Sequence, residues 1–167
     1  PCVTSGPNAA WYFDLIHAIL LRIKLTVFSF VDHVSEVKNG QSITAFFTLK
    51  GTEEFLLDHF EGFPVMPGVL LLESLKQAAA RLLEVSAAGQ APYRLTEVSL
   101  VRFGQFVKPG SRLRIRVDRV REAAGRVDFE GRVDLMNGEI QGPKALQASF
   151  SLGFSGHEVE KGSGSDR

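Results

Sequence analysis

The sequence predicts an α+β domain, one long apolar helix followed by several antiparallel strands. Three observations carry this. From Val69 to Leu83 the apolar residues Val69, Leu70, Leu71, Leu72, Leu75, Ala78, Ala79, Ala80, Leu82 and Leu83 stand nearly all round a helical wheel. That pattern predicts a helix buried in a core. Leu113, Ile115, Val117 and Val120 alternate with Arg112, Arg114, Arg116 and Asp118, the period-two signature of a half-exposed strand. Lys38-Asn39-Gly40-Gln41 separates two further strand-like runs, and Asn-Gly is the strongest short signal of a hairpin.

Taken in order, residues 1–10 are a loose lead-in, with Pro1, Gly6, Pro7 and Asn8. From Trp11 to about Lys24, Tyr12, Leu15, Ile16, Ile19, Leu20 and Ile23 recur at helical spacing. Asp14 near the start and Arg22 and Lys24 near the end suit the helix dipole, and His17 on this helix is an ordinary surface or half-buried histidine. Leu25 to Val37 and Ser42 to Leu49 are the two strands of the hairpin. Gly51 to Asp58 leads into a loop with one His, two prolines and two glycines, and the helix opens at Pro67-Gly68, where a missing N–H costs little. Its polar residues, Glu73, Lys76, Gln77, Arg81 and Glu84, fall three and four apart and make one narrow stripe.

Past the helix, residues 87–92 are a loop. Tyr93 to Val107 gives a strand bent at Gly104, and Lys108-Pro109-Gly110-Ser111 a turn. Strands follow at Arg112–Val120, Val127–Leu135 and Leu146–Phe154, with Asn137 to Lys144 as the last turn. The Gly-Ser-rich tail from Ser155 is expected to be disordered. The organisation is therefore a lead-in and helix over 1–24, a domain over 25–154, and a tail over 155–167.

The 167 residues suit one core, and 44% hydrophobic with 23% charged residues is ordinary for a soluble domain. Nineteen basic and nineteen acidic residues cancel, so no global field draws in nucleic acid. Four scattered His and one Cys give no metal-ligand spacing, so no metal and no cofactor is expected. The lone Cys2 excludes an intrachain disulfide and suits a reducing compartment, the cytoplasm. The longest apolar region, Trp11 to Val31, is broken by Asp14, His17, Arg22 and Lys24, a poor membrane span without the features of a secretory leader.

The chemistry concentrates at one place. His59 lies in the loop, and Glu73, fourteen positions on, is the first charge of the helix, about one and a half turns in. A histidine titrates near neutrality, and a carboxyl on a buried helix is desolvated toward holding a proton, so the two form a candidate base and acid. Taken one at a time they also have plainer readings: His59 as a loop histidine satisfied by backbone, Glu73 as a partner of Lys76 or Gln77. Asp32 and His33 are not a dyad, because neighbours on a strand point to opposite faces.

The run from His59 through Phe60, Gly62, Pro64, Met66, Pro67, Gly68, Val69 and Leu70 to Glu73 resembles the active-site signature of the β-hydroxyacyl-[acyl-carrier-protein] dehydratases, H-F-P-G-x-P-x-M-P-G-V-L-x-x-E followed by A-M-A-Q. The chain departs at Glu61, where that family has Pro, and at Ser74-Leu75-Lys76 in place of Ala-Met-Ala, and rejoins it at Gln77. Phe28 to Val34 is similar to the family's F-L-L-V-D-R-V, without the P-H-R-x-P that usually precedes it. Arg102-Phe103 with Val107-Lys108-Pro109-Gly110 is similar to K-F-R-x-P-V-x-P-G-D, with Gly104 where the Arg would stand.

The resemblance, from about Phe28 to Phe154, implies the hot-dog fold, a curled sheet wrapped round a central helix. It implies a homodimer joined sheet edge to edge, in some members a trimer of dimers. It also implies that His59 of one protomer works with Glu73 of its mate on a β-hydroxyacyl thioester carried by acyl carrier protein. Gly68 and Val69 would hold the oxyanion at the helix start, and Phe60, Phe63, Met66 and Pro67 would shape the substrate site. Glu rather than Asp at 73 favours plain dehydration over dehydration with isomerisation. Lys108 and Arg102 are the first choices, ahead of Arg22 and Lys24, for docking an acidic carrier. A hot-dog acyl thioesterase and a catalytically weak carrier-binding module are the competing readings.

Overall fold

The computed structural model describes residues 29–38, 40–86, 93–123 and 125–154. Six strands are present: β1 (His33–Lys38), β2 (Ser42–Thr48), β3 (Tyr93–Phe103), β4 (Arg112–Ala123), β5 (Arg126–Asn137) and β6 (Ile140–Phe154). They form a single antiparallel sheet in the order β1-β2-β4-β5-β6-β3. The one α-helix among the described residues, α1 (Gly68–Ser86), packs against β2 to β6, and a single 3-10 turn spans Glu54–Leu56. This is the α+β hot-dog arrangement that the resemblance implies.

The alternation in the strands decides which face meets the helix. Leu113, Ile115 and Val117 of β4, Val127, Phe129 and Val133 of β5, and Leu146, Ala148, Phe150 and Leu152 of β6 are all buried, while the intervening residues point outward. From α1, Leu71, Leu75, Ala78, Ala79, Leu82 and Leu83 enter the same core, one stripe at three- and four-residue spacing. Each Leu or Phe so buried contributes about 1.5–3 kcal/mol by leaving water. The helix sits close on the sheet because β5 has no side chain beneath Leu75. A Cβ at Gly131 would lie 2.7 Å from one Leu75 methyl.

Several expectations are corrected. The helix is not buried all round: Val69 is 71% and Val85 69% exposed, and Leu70, Leu72 and Ala80 are half-buried. Among the described residues the first strand begins at His33, not before Ser29 as expected, and the part expected over 25–28 lies outside them. Its lead-in is diverted to the helix instead, with Phe30 N–H donating to Gln77 Oε1 at 2.9 Å and Arg81 Nη2 to the Val31 carbonyl at 3.3 Å. Asp32 accepts from Thr48 N–H at 2.8 Å, and His33 stacks on Phe46. β3 ends at Phe103, short of Val107. The expected turn from Asn137 to Lys144 shrinks to Gly138-Glu139, and Gly142 and Pro143 lie inside β6, where shifts in the β5–β6 register absorb them. The helix expected over 11–24, with His17, Arg22 and Lys24, and the tail from 155 lie outside the described residues.

Among the described residues β3 is an edge strand that pairs only with β6. It is exposed along most of its eleven residues, including Leu95, Val98 and Leu100, and Phe103 at its end is 62% exposed. A long apolar edge with unpaired backbone groups is a template for another strand. Among the described residues no helix is long and apolar enough to cross a membrane.

Candidate active site

The loop before α1 is fixed at both ends. At its root Glu53 accepts from Lys50 N–H at 2.8 Å and Gly51 N–H at 2.7 Å. At its far end Met66 N–H donates to the Val107 carbonyl at 2.9 Å. Between them His59 and Val65 are bonded twice: Val65 N–H to the His59 carbonyl at 2.8 Å, and the His59 ring at Nδ1 to the Val65 carbonyl at 3.3 Å. A carbonyl only accepts, so Nδ1 carries a proton, and in the neutral ring the lone pair is the one on Nε2. The plain reading of His59 as backbone-bonded is therefore true of one nitrogen and leaves the other available.

Phe60 and Phe63 exchange backbone hydrogen bonds of 3.2 and 3.0 Å around Glu61-Gly62, and Gly62 has φ +74, a value that favours glycine. Glu61 occupies the second position of this turn, the one that Pro pre-sets in turns with a positive third φ. Its N–H makes no hydrogen bond among the described residues. Glu61→Pro therefore removes freedom from the unfolded chain and costs no native bond. It is expected to raise unfolding stability by about 0.4–1 kcal/mol in a urea titration. A lower stability would show that the turn needs a non-proline backbone at 61.

Beside this loop lies a cavity of about 440 Å3. His59, Phe60, Val65 and Met66 line it from the loop, and Gly68, Val69 and Leu71 from the start of α1. The segment from Phe103 to Val107, with Ala145, closes the other side. The first N–H groups of a helix have no intrahelical acceptor. Gly68 and Val69, which supply them here, both border the cavity. The Phe103 ring packs so tightly on the helix start that a Cβ at Gly68 would meet it at 2.5 Å.

Phe103, Gln105, Phe106 and Ala145 were not singled out from the sequence. Their signal was the run from Tyr93 to Val107, expected as one strand bent at Gly104, whose last five residues form the cavity wall instead. Gly104 N–H donates to the Ala145 carbonyl at 2.9 Å and Gln105 N–H to the Lys144 carbonyl at 3.0 Å. A Cβ at 104 would lie 2.1 Å from the Lys144 oxygen, so the Arg of the resembling motif cannot stand there with the segment in this place.

Phe63 and Pro67 do not border the cavity, but Phe63 meets Phe106, which does, at 5.9 Å in an edge-to-face contact. Lys108 Nζ sits 4.9 Å over the Phe63 ring, at the rim. Arg102 stands opposite Gln147 on β6, and neighbours on a strand face opposite ways, so it points away from the side on which Phe103 closes the cavity. The structure does not bring Arg102 and Lys108 together.

Glu73 does not border the cavity either. It lies on the half-exposed stripe of α1, where Oε1 is ion-paired with Lys76 Nζ at 2.7 Å and accepts from Gln77 Nε2 at 3.1 Å. Both partners anticipated by the plain reading are present. The His59 and Glu73 side chains of one chain do not share one cavity. Among the described residues no cluster of three His, Cys, Asp or Glu side chains could hold a metal ion.

A family model described as ApeI-like, ApeI dehydratase, matches residues 35–139. The 3-hydroxyacyl-[acyl-carrier-protein] dehydratase FabZ of Thiobacillus denitrificans is 36% identical over 128 residues, 74% of this chain and 87% of that one. The FabZ of Pediococcus pentosaceus is 42% identical over 95 residues, which span 56% of this chain and 63% of the relative. Among solved structures, the dehydratase heterocomplex ApeI:P from Xenorhabdus doucetiae aligns over 74% of this chain and 96% of its own, at a TM-score of 0.56 and 20% identity. With a family model over more than half its length and a 36% identical relative over 74% of it, the chain belongs to the hot-dog 3-hydroxyacyl-[acyl-carrier-protein] dehydratase family.

Proposed function

We propose that the protein is a hydro-lyase that removes water from β-hydroxyacyl thioesters to give trans-2-enoyl thioesters. The observation that carries this is His59, whose Nδ1–H is engaged by the Val65 carbonyl while its ring borders an apolar cavity at the start of α1. His59 Nε2 takes the α-proton of a thioester seated in that cavity. The N–H groups of Gly68 and Val69 hold the oxygen on which charge develops, and one such donor is worth about 10²–10³ in kcat. The hydrocarbon walls from Phe60, Met66, Phe103 and Phe106 take the acyl chain. The reaction moves no electrons to or from an acceptor and needs no cofactor.

The carboxylate at the departing hydroxyl is Glu73 of a second copy. Two chains paired along their β3 edges would cover the exposed strand and set Val69 and the Glu73 stripe against the neighbouring cavity. Glu73 enters this role as an ion-paired group, and a carboxylate in an ion pair only accepts hydrogen bonds. It orients the β-hydroxyl for departure. The imidazolium of His59, which holds the α-proton, releases it to the departing hydroxide as water leaves. Thioester hydrolysis is the weaker reading, because the family model and the curated relatives that match the chain are dehydratases.

The thioester is carried by acyl carrier protein in the cytoplasm, and the acidic carrier docks at the rim through Lys108. An exposed contact of this kind contributes about 0.2–1 kcal/mol and weakens with salt. The test is hydration of an enoyl thioester, followed as loss of ultraviolet absorbance, on carrier-linked and on N-acetylcysteamine substrates. Wild-type protein turns over both, and Lys108→Glu raises KM a few-fold for the carrier-linked substrate alone. A wild-type protein inactive on both would refute the dehydratase reading. Equal losses on both substrates in the variant would remove Lys108 from docking.

A further inference from the structure

The proposed reaction depends on where one oxygen of Glu73 points, and that orientation is set by two side chains outside the reaction. Lys76 Nζ is ion-paired with Oε1 at 2.7 Å, and Gln77 Nε2 donates to the same oxygen at 3.1 Å. No bond to Oε2 occurs among the described residues, so the carboxylate is tied on one oxygen and open on the other. The Gln77 amide is itself oriented, because its Oε1 accepts from Phe30 N–H at 2.9 Å, which turns Nε2 toward Glu73. Phe30 is anchored in the core at 1% exposure. Gln77 is thus a fixed post on one side of Oε1.

Lys76 closes the other side. It lies one turn from Glu73 with its side chain 30% exposed and Glu73's 27%, a pair sheltered well beyond the usual surface ion pair. A Lys also places a full charge beside the carboxylate where the resembling motif has Ala, so this chain carries a restraint that Ala cannot supply.

We propose that Lys76 is a positioning residue for this reaction: together with Gln77 it pins Oε1 of Glu73, so that Oε2 alone is presented to the β-hydroxyl of the substrate. The proposal rests on the dehydratase reading above. A carboxylate free to rotate or swing spends only part of its time in line with the hydroxyl. Displacement of a catalytic group by about 1 Å can cost as much as 10²-fold in rate. Lys76 itself touches no reacting atom, so its removal acts on turnover and leaves binding of the acyl chain alone.

The test compares Lys76→Met and Lys76→Arg with wild type in the hydration assay, each also made on a Glu73→Gln background. Met keeps the apolar stem of Lys and removes only the charge. The expected result is a kcat about tenfold lower for Lys76→Met with KM within twofold of wild type, and recovery of most of that loss in Lys76→Arg. On the Glu73→Gln background Lys76→Met adds no further loss, because the group it positions is gone. Lys76→Met at the wild-type kcat, with wild type active, would overturn the positioning role and leave the dehydratase reading standing. The same further loss on the Glu73→Gln background would also overturn it, since Lys76 would then act on substrate or on the fold. Wild-type protein inactive on every hydroxyacyl and enoyl thioester would remove the dehydratase reading and this inference with it.

Discussion

His59→Ala is expected to lower kcat for enoyl thioester hydration by about two to four orders of magnitude, the usual contribution of a positioned acid or base. That range corresponds to about 3–5.5 kcal/mol of transition-state stabilisation. The loss should fall on kcat more than on KM, because the cavity walls that hold the acyl chain come from other residues, Phe60, Met66, Phe103 and Phe106 among them. It should also leave the fold in place. The ring is half-buried and makes one hydrogen bond, at 3.3 Å to the Val65 carbonyl, whereas the loop is held by the backbone bonds of Val65 and Met66. Retention of the wild-type melting temperature with near-normal turnover would show that another group takes the α-proton.

What the sequence made legible followed from local rules. The β4 alternation, the hairpin of β1 and β2 and the helix start at Pro67-Gly68 each depend on residues within a few positions of one another, and each is found in the structure. The errors came from contacts between distant residues. Gly142 and Pro143 carry a turn composition, yet β6 runs through them because its partner β5 shifts register between Asp134 and Met136. Gly104 looked like a bend in a strand, and its reason is the Lys144 carbonyl some forty positions away. The Phe103–Val107 wall was missed on the same account.

The site shows the same division. Spacing put His59 in a loop and Glu73 on the following helix, and both are there. It did not show that the helix turns Glu73 onto the stripe with Lys76 and away from the His59 cavity. Nor could a run of apolar residues distinguish burial under the chain's own sheet from burial under a second copy. Leu75 and Leu82 are covered by the sheet at 0% exposure, while Val69 stands 71% exposed in the single chain.

That exposed face supports the second large effect, recovery of activity by mixing two inactive proteins. His59→Ala keeps Glu73, and Glu73→Ala keeps His59. If each site takes one group from each copy, a dimer of the two variants holds one site with both groups and one with neither. Equal amounts exchanged at random give heterodimers in about half of the dimers, so about a quarter of all sites are whole, by the symmetry of a two-fold assembly. Activity should then rise from the residual level of the separate variants toward about a quarter of wild type, a gain of one to three orders of magnitude if each single variant loses about 10²–10⁴, the range of a positioned catalytic group. Exchange itself is verified by mass spectrometry of the intact mixed dimer, with one variant carrying an affinity tag. Mixed dimers present in that ratio without recovered activity would mean that His59 and Glu73 act within one protomer, and that the Glu73 stripe must turn toward its own cavity when substrate binds.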